Sequence, residues 1–323
     1  MVPVRPPVSN ERVVVIADPI DREALDRLKS GPCRVVDASA DPGSLASHLV
    51  DAWGIIVRSR TKVTSDLLAH APHLEFVARA GVGVDNVDLA ATGKRGIRVV
   101  NAPAAATQSV AELTIAFYLF LVRGLSPSIA STRAGKWERG THGRELAGKT
   151  VGFIGYGRIA REVAQRLGAF HARSIAFDPY VPKSGDATEM VSLDELLARA
   201  DIVSVHAAST AENRHLLDAR AFERMKPGAF LVNVARGALV DEAALLSALT
   251  SGRLGGAALD VYEVEPPMNR ELLAHPNVIP TPHLGASTHE AQQRAGSDTV
   301  DEVLRALRGE PLTALVPAPG GAR

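Results

Sequence analysis

A chain of 323 residues with 36 Lys and Arg against 36 Asp and Glu has no formal net charge, so nothing in its balance draws it to a nucleic-acid backbone or an anionic membrane surface. Its length exceeds what one core usually supports, which predicts two domains or one large α/β unit. Its single cysteine, Cys33, excludes an intramolecular disulfide and a cysteine-rich zinc site. The opening MVPVRPPVSNER lacks the apolar stretch of a secretory signal, and the run LTIAFYLFLV is too short to span a bilayer. The expectation is a cytoplasmic protein with no nucleic-acid partner, no membrane partner and no metal.

In chain order, the first third offers the β-branched runs RVVVIAD, CRVVD, WGIIVRS, LEFVARA and IRVVNAP, with the helical patterns DREALDRLKS and VTSDLLAHA between them. This alternation predicts a mainly parallel sheet with helices on both faces. Next comes TQSVAELTIAFYLFLVRG, apolar around most of its circumference, and therefore a helix expected to be buried between domains or at a subunit interface. The following SPSIASTRAGKWERGTHGRELAGK reads as a long polar loop bearing Trp137, a candidate interface anchor or a cover for a local apolar patch. A second series of strands follows: TVGFIG, SIAFD, DIVSVHA, GAFLVNVA, LGGAALDV and NVIPTPH. An amphipathic helix, STHEAQQRAGSDTVDEVLRALRG, is expected to return the chain to the first domain, and PAPGGAR reads as a frayed tail.

TVGFIGYGRIAREVA contains Gly155-Tyr156-Gly157-Arg158-Ile159-Ala160, a G-x-G-x-x-A between a predicted strand and a predicted helix. The spacing suits a dinucleotide: the first glycine makes the turn, the second admits a pyrophosphate, and the small third residue lets helix and strand pack closely. The next strand ends in Asp178, about 20 residues beyond the first glycine, where a carboxylate accepts from an adenosine ribose and repels a 2′-phosphate. NAD is the expected cofactor. Asp178 also admits a plainer reading, as a turn residue before Pro179.

Ligands of open α/β sheets bind outside the carboxyl ends of the strands. Those ends carry Gly155, Asp178, His206, Arg236, Asp260 and His283, with Glu265 in DVYEVEPP. A cation, carboxylates and a histidine beside a dinucleotide site suit hydride transfer, which needs a base in one direction and an acid in the other. An imidazole titrates near neutrality and serves both, so His283 is the candidate, with Glu265 to orient it. Arg236 offers a planar fork for a carboxylate and carbonyl. Asp260 is assigned either to a nicotinamide carboxamide or to orienting Arg236. Each has an alternative: Arg236 and Asp260 as a structural ion pair, Glu265 as a surface residue before two prolines, His206 as part of the crevice wall, and His283 as a core histidine.

VRSRTKVT, ARAGVGVDNVDLAATGKRGIRVVNAP, SVAELT, GKWER, ELAGKTVGFIGYGRIAREVA, NVARGALVDEAAL, ALDVYEVEPP and TPHLGASTHEAQ together resemble the NAD-dependent D-2-hydroxyacid dehydrogenases, and within that family the phosphoglycerate dehydrogenase branch. The resemblance implies a doubly wound α/β architecture of two parallel-sheet domains: a Rossmann NAD-binding domain (102–287) inserted into a flavodoxin-like substrate domain (1–101 and 288–323), with the site in a cleft that closes. It implies Arg236, Glu265 and His283 as the catalytic set. Gly155, Tyr156, Gly157, Arg158, Ile159, Asp178, His206, Ala235, Asp260 and Thr107 are assigned to the cofactor. Arg58, Ser59, Arg79, Gly81 and Val82 are assigned to the substrate, the Gly81 and Val82 amides taking its carboxylate and Arg58 and Arg79, with Arg60 beside them, a phosphate.

The implied reaction is NAD-dependent oxidation of D-3-phosphoglycerate, with glyoxylate or hydroxypyruvate reduction as the near alternative and an NAD-sensing corepressor as the distant one. The implied partners are a small 2-hydroxy or 2-keto acid, phosphorylated in the leading reading, and a second copy of the chain through the NAD-binding domain. Three departures stand out, the first being Ala160 in place of the third fingerprint glycine, which the motif tolerates. HAAST lacks the proline the family often has after the histidine matching His206, and no C-terminal regulatory domain of the longer phosphoglycerate dehydrogenases is expected.

Overall fold

The computed structural model describes residues 11–140 and 142–317; the first ten residues and all but the first of PAPGGAR lie outside them. Two compact units emerge, one from the residues up to Ala106 and from Thr288 onward, the other Thr107–Ser287. The boundary near residue 101 falls five residues later than the sequence suggested. Backbone bonds hold that stretch to the first unit, since the Ala102 amide donates to the Gly81 carbonyl at 2.9 Å and the Asn101 amide to the Ala314 carbonyl at 3.3 Å.

The first unit is a five-stranded sheet of β1 (Val13–Ile16), β2 (Arg34–Asp37), β3 (Ala52–Val57), β4 (Phe76–Arg79) and β5 (Arg98–Val100), ordered β2-β1-β3-β4-β5 with every pair parallel. Alternate residues of one strand enter different cores. Val13 and Val15 pack with Leu49, Leu68 and Val77, whereas Val14 and Ile16 pack with Leu28, Phe76 and Val300. Both faces are therefore dry, which is why these strands read as continuous apolar runs. The helix His289–Arg308 lies on the second face, capped at its start by the Thr288 hydroxyl and ended by Gly309 in the left-handed region at φ 71°. Its buried Glu302 accepts from the Thr313 and Ala314 amides, and the Val316 amide donates to Val99, so the chain after the helix is stitched beside β5.

The second unit holds seven strands: β6 (Thr150–Ile154), β7 (Arg173–Phe177), β8 (Glu189–Met190), β9 (Ile202–Val205), β10 (Ala229–Asn233), β11 (Leu254–Leu259) and β12 (Val278–Pro280). Their order is β12-β11-β10-β9-β6-β7-β8, again all parallel. The order reverses between β6 and β9, the place where doubly wound sheets open a crevice. The apolar helix Thr107–Arg123 buries Ala111, Thr114, Phe117, Tyr118 and Leu121 against its own sheet, while Phe120 stays 37% exposed. Its burial is thus explained within one unit. The polar stretch after it is not all loop. Gly124, at φ 59°, turns the chain by 70° into a second helix, Leu125–Arg133, before an exposed segment carrying Trp137. The two-residue β8 was also not foreseen. No single described helix is long and apolar enough to cross a membrane.

At the reversal point of the first sheet, between β1 and β3, stands Asp18, 1% exposed. Its carboxylate accepts from the Arg58 amide (2.6 Å), the Thr61 amide (3.1 Å), the Thr61 hydroxyl (2.6 Å) and Arg60 Nε (3.1 Å). Burial pushes its pKa up, but these donors outweigh burial and hold it below the ordinary carboxylate value. A folded value below the unfolded one, about 4, gives stability that is present at neutral pH and lost as pH falls through the folded value. Asp18→Asn should therefore cost about 2–4 kcal/mol at pH 7, by placing a donor among donors, and the gap from wild type should narrow in acid when both are followed by urea unfolding.

Candidate active site

The turn after β6 is built for close approach. Gly155 has φ 86°, and a side chain there would meet the Ala207 amide nitrogen at 2.6 Å. Gly157, by contrast, faces open space. It precedes the helix Arg158–Leu167, whose N-terminus has no side-chain cap, and Ala160 is fully buried beneath it. Bare amides at a helix start, next to a glycine with room above it, form a cradle for a pyrophosphate. Asp178 Oδ2 accepts from the Tyr156 amide at 2.8 Å and Oδ1 from the Tyr180 amide at 2.8 Å. The turn role considered for Asp178 is thus real, and it coexists with a half-buried carboxylate at the expected strand end.

Two residues assigned to the cofactor point elsewhere. Tyr156 is fully buried, its hydroxyl donating to Asp186 at 2.8 Å and lying 2.6 Å from the Thr188 hydroxyl, and burial pushes its pKa up to about 12. Only its backbone belongs to the cradle. His206 turns its ring inward, with Nε2 2.8 Å from the Ser204 hydroxyl and the ring 5.5 Å from Phe153. Nδ1 is buried with no hydrogen-bond partner among the described residues, and burial lowers the pKa to about 3. The ring packs inward between Ser204 and Phe153. Thr107 opens the helix Thr107–Arg123, Arg158 is exposed at the first turn of its helix, Ile159 is half-buried and Ala235 is 9% exposed.

His283 stands three residues past β12 in the left-handed region, at φ 54°, an unusual conformation for a residue with a side chain. It is no core histidine: its side chain is 52% exposed, and its Nδ1 lies 2.9 Å from Glu265 Oε2, itself 40% exposed. An ionised Glu265 only accepts, so Nδ1 carries the proton and Nε2 is left to exchange one with a ligand. The turn bearing His283 is shaped by Asp260, 1% exposed, which accepts from the Thr281 hydroxyl (2.7 Å) and the Leu284 (2.6 Å) and Gly285 (2.8 Å) amides. Asp260 was assigned to the cofactor or to Arg236; its hydrogen bonds go to the His283 turn instead. Arg236 follows β10 on a turn braced by buried Asn233, and its Nη1 donates to the Ala235 carbonyl at 2.6 Å.

In the first unit, Val57 pairs with Arg79, so Arg58 and Arg79 stand at neighbouring carboxyl ends of β3 and β4. Arg58 Nη1 donates to Pro19 at 3.2 Å, and Ser59 is exposed. Arg60 is committed to structure, donating to Asp18 and to the carbonyls of Ala17 and Ser39. The Arg79 guanidinium lies against Gly81, where a side-chain carbon would fall 1.6 Å from Nη1. The Gly81 amide donates to the Arg79 carbonyl at 2.9 Å, so this half of the expected amide pair is engaged within the turn. Sequence reading missed the braces: Asn86 holds the carbonyls of Arg58 and Thr61, and Asn101 that of Val82. Asn101, directly after β5, carried an available signal; Asn86, well beyond the end of β4, carried none. No described cluster of three or more His, Cys, Asp or Glu is arranged to hold a metal.

A glycine turn suited to a pyrophosphate and a histidine–carboxylate pair lie on one α/β unit, and comparison with known proteins gives the family. Residues 115–285 match the D-isomer specific 2-hydroxyacid dehydrogenase, NAD binding domain, and the chain belongs to that family. It is 46% identical over 314 residues, 96% of its length, to D-3-phosphoglycerate dehydrogenase of Mycobacterium tuberculosis, and spans 59% of that relative. It is 40% identical to hydroxypyruvate reductase of Thermotoga maritima, over 91% of this chain and 98% of the relative. Among solved structures, a glyoxylate reductase from Paecilomyes thermophila superposes with a TM-score of 0.87 at 30% identity, over 96% of this chain and 99% of that one.

Gly155→Ala should weaken NADH binding by at least ~10-fold, since a left-handed backbone and a 2.6 Å clash both oppose the methyl group. Titration of NADH fluorescence with folded protein measures this, and unchanged affinity would remove the cradle from the turn.

Proposed function

We propose that the protein is an NAD-dependent D-2-hydroxyacid dehydrogenase that oxidises D-3-phosphoglycerate to 3-phosphohydroxypyruvate, the first step of serine synthesis, in the cytoplasm. The observation that carries the dehydrogenase reading is the 2.9 Å pair of His283 Nδ1 and Glu265 Oε2 on the unit that bears the dinucleotide cradle. Bound NAD supplies the hydride acceptor. His283 Nε2 takes the hydroxyl proton during oxidation and returns it during reduction, while Glu265 fixes the tautomer and steadies the imidazolium. Arg236 holds the substrate carboxylate and polarises its carbonyl. On the first unit the Gly81 and Val82 amides are the candidate substrate contacts, the Gly81 amide donating to the Arg79 carbonyl in this structure.

The phosphorylated substrate is supported by the 46% identity to a phosphoglycerate dehydrogenase and by Arg58 and Arg79 at adjacent strand ends. A second reading, reduction of hydroxypyruvate or glyoxylate, is favoured by the Thermotoga relative, which the chain spans almost completely. For the oligomer we propose a homodimer through the NAD-binding unit, on the half-exposed Phe120 and Ile129 and on Trp137, 80% exposed. An apolar side chain so exposed suits an interface.

Purified protein offered NADH with 3-phosphohydroxypyruvate, hydroxypyruvate, glyoxylate and pyruvate in parallel should prefer the phosphorylated acid. Preference for an unphosphorylated one favours the second reading. His283→Ala should cut kcat by about 10²–10⁴-fold while NADH binding persists, and near-normal turnover would return the histidine to a structural role. Arg58→Ala should raise KM for the phosphorylated substrate by about 10–100-fold, the worth of a charged hydrogen bond, and leave that for hydroxypyruvate nearly unchanged; equal effects on both would count against a phosphate site.

A further inference from the structure

Between Tyr262 and Pro266 the chain is exposed apart from one side chain, Glu263, 20% exposed. Its bonds reach two other segments. The Glu242 amide donates to Glu263 Oε1 at 3.2 Å, and the Glu263 amide donates to Glu242 Oε1 at 2.8 Å, so each carboxylate takes the other's backbone N–H. Glu263 Oε2 lies 2.7 Å from His215 Nε2 and accepts from Arg214 Nη2 at 2.9 Å. His215 is itself held out of line, at φ 52°, with its amide donating to the Ala238 carbonyl at 2.8 Å. Gly237, next to Arg236, packs so tightly on this loop that a side-chain carbon would fall 1.8 Å from the Tyr262 carbonyl carbon.

From this latch the path to His283 is short. The Tyr262 amide donates to Glu265 Oε1 at 3.2 Å, and the other oxygen, Oε2, meets His283. The Tyr262 hydroxyl lies 3.1 Å from the carbonyls of both Leu259 and Thr281, at the ends of β11 and β12, and its one hydrogen serves either. Glu265 and His283 are both too exposed for packing to fix them. Asp260 shapes the turn of one, and Glu263 is the corresponding anchor for the loop of the other.

We propose that Glu263, latched to Glu242, His215 and Arg214, is a positioning residue that holds Glu265 in line with His283; this rests on the catalytic reading above. It acts only through Glu265, so its effect must vanish once Glu265 can no longer act. A side chain far from the reacting atoms can cost about 10²-fold if it lets a catalytic group drift by an ångström.

The test is a double-mutant cycle on reduction of the preferred 2-oxo acid by NADH. Glu263→Ala and the near-isosteric Glu263→Gln are each made in wild-type and Glu265→Gln backgrounds. In wild type, Glu263→Ala should lower kcat at least tenfold with KM for NADH changed less than twofold, and Glu263→Gln, which keeps an acceptor for the Glu242 amide, should recover part of the loss. In the Glu265→Gln background either change should cost less than twofold. Equal losses in both backgrounds, or wild-type kcat for both variants, would overturn the proposal. Should the unaltered protein reduce none of the acids, the catalytic reading fails, and amide exchange decides the latch separately. The amides of 262–265 should exchange at least tenfold faster in Glu263→Gln, and unchanged exchange would overturn the latch.

Discussion

Every ladder between named strands in the two sheets is parallel, and that constraint governs the rest of the molecule. Parallel neighbours need a crossover, so helices cover both faces and all carboxyl ends within a sheet open on one edge. Residues far apart in sequence can then be gathered, because each strand of a sheet delivers the residues that follow it to the same edge. Gly155 follows β6, His206 β9, Arg236 β10, Asp260 β11 and His283 β12. The interior supplies the platform, and the loops at its edge decide what the platform does.

Those loops are held mainly by buried or half-buried carboxylates. Asp18 gathers the loop of Arg58 to Thr61, Asp260 gathers the turn of His283, and Glu263 joins the loop of Glu265 to the start of the helix Glu242–Thr250. A carboxylate suits this work because it accepts several amide hydrogens at once, and amides at strand ends are donors that the sheet leaves unpaired. The charge needs its own balance. At Glu263 burial raises the pKa, but His215, the Glu242 linkage and Arg214 bring it below the ordinary value, while Glu242, half-buried beside that charge, is raised.

Backbone conformation makes the same division of labour visible. Gly155 and Gly237 occupy places where a single carbon would strike a neighbouring backbone. His283 and His215 adopt left-handed conformations without glycine's freedom, and both are tied to carboxylates, Glu265 and Glu263. Strain held at residues with hydrogen-bonding duties marks the part of the fold where geometry has been specified beyond what packing requires.

The sequence by itself determined every named strand but β8, the long helices and the glycine turn, and it singled out His283, Glu265 and Arg236 as candidates, because periodicity, glycine spacing and residue chemistry are local properties. It also bore the family resemblance across nearly its full length. Only the tertiary structure decided where the side chains at the strand ends point: His206 and Tyr156 inward, Asp260 onto the His283 turn, Arg60 onto Asp18. The helix after Gly124 was hidden as well, since a polar surface helix has no apolar period to betray it. Hydrogen-bond partners distant in sequence leave no mark on local pattern, and they are what turn an acidic residue near a site into either a ligand for substrate or a brace for the loop beside it.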